Sequence, residues 1–245
     1  MWSRLCSVLG GGSLLLLVLA SPAGAFRVLP MTYDLAPVGS GSTQVLRVEN
    51  LGDRPLTVEL YAERRDILPD GSERRTPADE DFVIFPPQSI IQPAETRAFR
   101  VQYLGEPRLE RSVTYAVTVA QLPIELDGAA ETGVQVVFAF STLANVVPAG
   151  SRAALEVREV RTDPVGDAAM VLVENTGTRY GRVTEGVWTF TDAGGAEATV
   201  SGETLREAVA IGLVQPGTQR LIRLPLPRGF GRHGPLRARY APGGS

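Results

Sequence analysis

Runs that alternate apolar and polar residues, each bounded by turn formers, fill residues 42–147. A period of two is the signature of strands, not helices, so it commits the chain to an all-β fold. The runs are STQVLRVEN (42–50), PLTVELYAERRDI (55–67), DFVIFPPQSIIQP (81–93), ETRAFRVQYL (95–104), SVTYAVTVAQL (112–122) and GVQVVFAFSTLANVV (133–147). Turn signals separate them at the spacing expected of a β-sandwich. The first two flank Leu51-Gly52-Asp53-Arg54 and read as a hairpin or a tightly connected strand pair. In the third, Pro86-Pro87 stops a strand or places it at an edge.

Pro148-Ala149-Gly150 reads as a hinge, because a second series of strands begins after it. That series comprises AALEVREVRTD (153–163), AAMVLVENTG (168–177), TEGVWTFTDAGGAEATV (184–200), TQRLIRLPLP (218–227) and GPLRARYAP (234–242). Asp192-Ala193-Gly194-Gly195 marks a hairpin tip. GETLREAVAIGLV (202–214) has helical spacing, weakened by Gly212 and β-branched neighbours. LRVENLGDRPLTVEL in the first half echoes LVENTGTRYGRVTEGVW in the second. Two similar sandwiches, residues 26–148 and 151–245, fit the usual domain size better than one large one.

The chain opens MWSRLCSVLGGGSLLLLVLASPAGA, with Arg4 as a positive start, a short apolar run and an Ala-Gly-Ala cleavage site ending at Ala25. That pattern is an exported protein's signal peptide, residues 1–25, with Phe26 as the first mature residue. Its apolar run is too short for a membrane span, and no later run approaches that length, so a soluble exported product with no membrane insertion is expected. Cys6, the single cysteine, lies inside the leader, so packing rather than disulfides must hold the mature chain together. Every basic residue is an arginine, since the chain has no lysine. The net charge of −3 becomes −4 without Arg4, which points away from nucleic acid and anionic membrane surfaces as partners.

Enzyme chemistry finds little material. The single histidine, His233, sits in RGFGRHGPLR, and one histidine without a mature cysteine makes neither the usual zinc sites nor a histidine triad. Asp66, Asp70, Asp79, Glu80 and Asp81 cluster in DILPDGSERRTPADED, but without the spacing of a calcium loop and among neutralising arginines, so a solvated loop is expected. GSGS (39–42) has no phosphate-loop context. No cofactor or metal is called for, and binding is expected instead of catalysis.

Four segments, taken in order, carry a resemblance. QVLRVENLGDRPLTVEL places an Asn at the close of a strand, and FVIFPPQSIIQPAETRAFRV carries Phe85-Pro86-Pro87, Gln92-Pro93-Ala94 and Arg100-Val101. LERSVTYAVTVAQLP carries Glu110-Arg111-Ser112 and Leu122-Pro123, and GVQVVFAFSTLANVVP follows. Together they resemble the periplasmic chaperones of chaperone–usher pili, two immunoglobulin-like domains behind a signal peptide, and the archaic or alternative branch more than the best-known one. VENTGTRYGRV and VQPGTQRLIRL resemble the second domain more loosely.

The resemblance implies a non-enzymatic role. Pilus subunits of this kind lack their last strand, which leaves an apolar groove and an unpaired sheet edge. The chaperone fills both with its own strand and passes the subunit to an outer-membrane usher. Residues 133–147 take the place of that donor strand, with Val134, Val136, Phe138 and Phe140 as groove-filling side chains. Period two alone leaves a second reading open, in which that face is ordinary sandwich core and Val137 and Ala139 point outward. An exported two-domain adhesion or structural module is the corresponding alternative function.

The resemblance also implies a cationic anchor for the subunit's terminal carboxylate, an arginine in the first strand and a lysine late in the donor strand. Aligned without gaps, those positions hold Asp34 and Leu143. Arg27, Arg97 and Arg100 are the substitute candidates, with a framework role for Arg100 equally open.

Overall fold

The computed structural model of the chain describes residues 26–123, 137–163, 167–209, 212–230 and 234–243. The expected leader 1–25, the donor candidates Val134 and Val136, and His233 lie outside the described residues. Among the described residues no helix is long and apolar enough to cross a membrane.

Among the described residues, the first half holds ten strands: β1 (Phe26–Leu29), β2 (Thr32–Leu35), β3 (Thr43–Asn50), β4 (Leu56–Ile67), β5 (Glu73–Pro77), β6 (Phe82–Phe85), β7 (Gln88–Ile91), β8 (Thr96–Tyr103), β9 (Val113–Gln121) and β10 (Ala139–Val146). They form two sheets, ordered β1-β3-β8-β6 and β2-β10-β9-β4-β5, with β7 also paired to β4. Alternation supplies the core between them. Leu46 and Val48 on β3, Phe99 and Val101 on β8, and Val117 and Val119 on β9 are all wholly buried. Arg47 and Arg100, one position off, face out.

The first two alternating runs do not form a hairpin. β3 and β4 belong to different sheets, so the Leu51–Arg54 connection carries the chain across the sandwich. The crossing is set by Asn50, whose Nδ2 donates to Arg54 O (2.8 Å) and Ile91 O (2.9 Å) while its Oδ1 accepts from Gly52 N (2.9 Å). Pro86-Pro87 makes a second crossing, from β6 at the edge of one sheet to β7 in the other, with Phe85–Pro86 in the cis form.

The acidic segment expected as a loop is partly strand. Residues 73–77 form β5 against the end of β4, although every one is exposed. Period-two burial could not signal it. Backbone pairing and cross-strand ion pairs hold it instead: Arg65 with Glu73, and Arg74 with Asp66 (3.0 Å).

The second half contains β11 (Leu155–Thr162), β12 (Ala168–Asn175), β13 (Gly181–Arg182), β14 (Gly186–Thr191), β15 (Glu197–Ser201), α1 (Gly202–Ala208), β16 (Leu213–Val214), β17 (Gln219–Pro225) and β18 (Arg237–Pro242). Sheets β11-β12-β17 and β15-β14-β18 enclose a second core around Trp188, Phe190, Val171, Val173 and Leu224. The helical spacing at 202–214 yields one short helix, which buries Leu205 and stops before Gly212. The hairpin tip at Asp192 forms as expected, with Gly195 at φ 84°. Asn175 repeats the Asn50 arrangement, donating to Arg179 O (2.7 Å) and Val214 O (2.9 Å) and accepting from Gly177 N (3.0 Å). The sequence echo is thus a repeated hydrogen-bonding device. The architecture is all-β, with two immunoglobulin-like sandwiches in tandem.

Candidate functional site: an open strand edge beside the domain seam

β10 pairs with β9 along its whole length, residues 139–146, but with β2 only over residues 143–146. Up to Thr142, its other edge has no strand beside it among the described residues. Backbone N–H and C=O groups of one residue point to the same side of a strand, and successive residues alternate. The N–H of Leu143 donates to Met31 O (2.8 Å) and that of Val147 to Leu35 O (2.7 Å), on the β2 side. The carbonyl of Phe138 accepts from Gln121 N (2.9 Å), on the β9 side. By the same alternation, the backbone groups of Val137, Ala139 and Ser141 face the open edge.

The side chains divide the other way. Phe138 and Phe140 are half-buried and pack on the first core, Phe140 edge-to-face on Phe26 with ring centroids 4.8 Å apart. Val137 and Ala139 are exposed on the outer face. Ser141 there meets Thr118 Oγ1 (2.8 Å) and accepts from Arg75 Nη1 (3.0 Å). An open edge and two aromatic rings at the unsealed margin of the core therefore coincide. A strand added at this edge would set its alternate side chains against those rings.

Where β2 begins, the edge closes. Tyr33 on β2 is buried, and its hydroxyl meets Thr142 Oγ1 (3.3 Å) across the junction. Burial pushes its hydroxyl up to about 12 from 10, with the Thr142 hydrogen bond acting the opposite way. A tyrosine with a raised folded-state pKa favours the fold fully below pH 10 and loses that contribution as pH rises from 10 to 12. Two pH units correspond to about 3 kcal/mol. Unfolding by urea at stepped alkaline pH should therefore show stability falling across that window, and less steeply in Tyr33→Phe.

Beyond the junction, β2 and β10 run under the second domain. Asp34 accepts from Tyr180 OH (2.7 Å), Arg179 Nη2 (2.7 Å) and Asn145 Nδ2 (3.2 Å). Ser112 Oγ accepts from Tyr180 N (2.7 Å). Gln215 clamps β4, accepting from Ile67 N (2.7 Å) and donating to Arg65 O (2.8 Å). Ile67, Leu143, Tyr180 and Leu213 close an apolar cluster between the sandwiches. Burial, then the bond to Asp34, raises the Tyr180 hydroxyl's pKa. Asp34 and Leu143, the positions of the expected anchor pair, thus both serve the seam.

The substitute anchor candidates do not gather at the strand edge. Arg27, one residue from Phe26, pairs with Glu49 across β1 and β3. Arg97 lies near Glu95 (3.9 Å) at the start of β8, and Arg100 donates to Gln102 (3.0 Å) on that strand's outer face. All three belong to the four-stranded sheet, whereas the open edge belongs to the other. The acidic residues disperse as well: Asp66 faces Arg74, Asp70 closes the β4–β5 turn on Ser72, and Asp81 accepts from Tyr115 OH (2.8 Å). Among the described residues no three histidine, cysteine or carboxylate side chains converge as a metal site. Sequence reasoning missed Arg179, Tyr180 and Gln215. The first two stand within TGTRYGRV, a segment informative for its strand and turn pattern and silent about a contact 145 positions away.

No family model matches the chain, and no curated protein is similar to it. Solved structures are similar in fold. The class 5 fimbriae chaperone CfaA superposes with a TM-score of 0.55 at 11% identity, covering 90% of this chain and 100% of that one. The complex of CsuC with the tip adhesion subunit CsuE, from archaic chaperone-usher Csu pili of Acinetobacter baumannii, gives 0.52 at 10% identity, covering 81% and 90%. The Salmonella enterica SafA pilin in complex with the SafB chaperone gives 0.52 at 16%, covering 84% and 86%. The chain has the two-domain immunoglobulin-like fold of fimbrial chaperones.

Proposed function

We propose that this protein is a periplasmic chaperone that binds a pilus or fimbrial subunit by lending it a β-strand, and that it delivers the subunit to an outer-membrane usher. The observation that carries this reading is the open stretch of β10, with backbone groups facing out and Phe138 and Phe140 at the margin of the core. The similarity in fold to chaperones solved with a pilin or a tip adhesion subunit supports it. On this reading residues 1–25 are a leader directing export, residues 26–148 are the subunit-binding domain with 133–147 as donor strand, and residues 151–245 are the second domain. Binding is main-chain pairing at Val137, Ala139 and Ser141, with Phe138 and Phe140, and Val134 and Val136 before them, filling the client's groove. The mechanism needs no cofactor and no bond-making step.

One observation favours the second reading, an exported two-domain adhesion or structural module. Phe138 and Phe140 already pack on their own core. The two readings separate in a co-expression experiment with any small exported protein encoded by a neighbouring gene. Strand donation predicts a 1:1 complex that Phe140→Asp weakens by about tenfold to a hundredfold, the worth of one buried aromatic. Ala139→Pro provides the control for folding. It removes an N–H that faces the open edge, leaving the β9 ladder and the core untouched, and should abolish the complex in a protein that stays folded. Normal binding by both variants would overturn the proposal, and so would failure of the wild type to form any 1:1 complex.

A further inference from the structure

The hairpin that β4 and β5 form is charge-balanced in itself. Residues 63–75 read ERRDILPDGSERR, four arginines and four carboxylates. Asp66 pairs with Arg64 (3.4 Å) and Arg74 (3.0 Å), Glu73 with Arg65 and with Arg75 (3.1 Å), and Glu63 with Arg75 (3.5 Å). Asp70 accepts from Ser72 N (2.9 Å) and Oγ (2.6 Å) within the turn. Against this neutral hairpin the second domain sets a fifth cation, Arg220 on β17. Leu221 N donates to Pro69 O (2.7 Å), which fixes β17 on the turn. A Cβ on Gly71 would lie 3.6 Å from Arg220 Nη2 and 3.9 Å from its Nε, so that guanidinium lies along the turn. Its Nη1 donates to Leu213 O (2.6 Å), and among the described residues no carboxylate pairs with it. Its Nε is buried without a hydrogen-bond partner among those residues, and so is the Nε of Arg65, a residue that is itself buried. Burial lowers the pKa of Arg220, Glu73 raises it in part, and Arg65 lowers it again, so the two guanidiniums and the carboxylate share one field. A buried cation without a counter-charge is costly, and so is a buried N–H without an acceptor.

We propose that one small monovalent anion, of the chloride class, binds between the β4–β5 turn and β17 and accepts from Arg220 Nε and Arg65 Nε. Five arginines against four carboxylates leave one positive charge over, which one monovalent anion cancels and a dianion would reverse. Both Nε atoms are closed off from solvent, so a carboxylate on a polypeptide could reach them only by parting the two domains. The donors are fixed in advance. Arg65 is held by Glu73 at its side chain and by Gln215 Nε2 at its carbonyl (2.8 Å), and Arg220 by Leu213 O. Because the two donors come from different domains, the anion ties the seam together. It binds the docked chain and not the unfolded one, and stabilises it by mass action. The site stands apart from strand donation, since β10 contributes no group to it.

The test is urea unfolding of the full mature chain, followed by Trp188 fluorescence, in sodium chloride and in sodium gluconate at matched ionic strength. Gluconate is monovalent but too large for the site. At about ten times the half-saturating chloride concentration, the folded-to-unfolded ratio should be about elevenfold higher than in gluconate. Arg220→Gln removes the uncompensated charge and should abolish the difference. Gly71→Asp should abolish it too, by setting a carboxylate beside Arg220 at a left-handed position (φ 89°) that aspartate tolerates. Gly71→Asn carries the same backbone change without the charge and should keep the difference. In crystals grown with bromide in place of chloride, an anomalous peak is expected between Arg65 and Arg220. Equal midpoints of the wild type in the two salts overturn the site, and so does a chloride effect that survives Arg220→Gln or Gly71→Asp. Loss of the effect in Gly71→Asn would show the backbone and not the charge at work, which overturns it as well. Bromide found only at other positions would mean an adventitious ion only, with the same consequence.

Discussion

Asn175→Ala is expected to cost the second domain about 4 kcal/mol, and Asn50→Ala nearly as much in the first. Both side chains are buried, and each donates to two backbone carbonyls while accepting from a backbone N–H, so that one amide ties three points of the chain together. Alanine would remove all of these bonds at once, and each is worth roughly 1 kcal/mol. Asn175 carries an added contact, accepting from Ala154 N (3.1 Å), so it also ties down the start of β11. Aspartate is no rescue, because it keeps the acceptor, loses the donors and points a charge at two carbonyl oxygens. The two positions also differ in reach. Asn175 holds the carbonyl of Arg179, the residue that bridges to Asp34, so its loss should loosen the seam as well as the domain. Urea unfolding followed by Trp188 fluorescence should report Asn175→Ala directly, since that indole is wholly buried in the second core. A loss below about 1 kcal/mol at either position would mean that water replaces the amide there.

What the sequence made legible follows from the range of each signal. Alternation is local, so the strands and the two cores were readable, as were the Pro86-Pro87 break and the recurrence of an Asn two residues before a Gly. Sheet membership is not local. β3 and β4 are consecutive and alternate in the same style, yet Asn50 sends the chain across the sandwich, so the two strands expected as a hairpin or a tightly connected pair lie in different sheets. β5 escaped notice because a strand exposed on every residue has no burial period. The face of β10 could not be chosen from period two either, since Phe138, Phe140, Val137 and Ala139 are all apolar. The seam was invisible for a different reason. Its hydrogen-bonded partners lie 68 to 150 positions apart and obey no repeat, so Asp34 and Leu143 registered only as an absent charge pair. Their real partners, Tyr180, Arg179 and Leu213, are specified by the docking of two finished domains.

That docking makes a sharp prediction for the lysine position of the resembled family. Leu143→Lys should cost about 4 kcal/mol and should not restore a carboxylate anchor. Leu143 is nearly buried among Ile67, Tyr180 and Leu213, so the change first forfeits an apolar contact worth roughly 2 kcal/mol or more. It then sets an ammonium in a seam whose nearby carboxylate, Asp34, already accepts three hydrogen bonds. The lysine stem can reach toward Asp34 only by displacing Arg179 from it. Leu143→Met conserves volume and chemistry and should cost under about 1.5 kcal/mol, which separates the charge effect from packing. The displacement argument has its own check in the double variant Leu143→Lys with Arg179→Gln. Removing the competing guanidinium gives the ammonium a place on Asp34, so the pair should be less destabilised than the sum of the single changes by about 1 kcal/mol or more. Strict additivity would show that the lysine has escaped to solvent, and a cost for Leu143→Lys no larger than that of Leu143→Met would show that the seam is not closed at this residue. A cationic anchor and a packed seam compete for the same space on β10, and in this chain the packed seam occupies it.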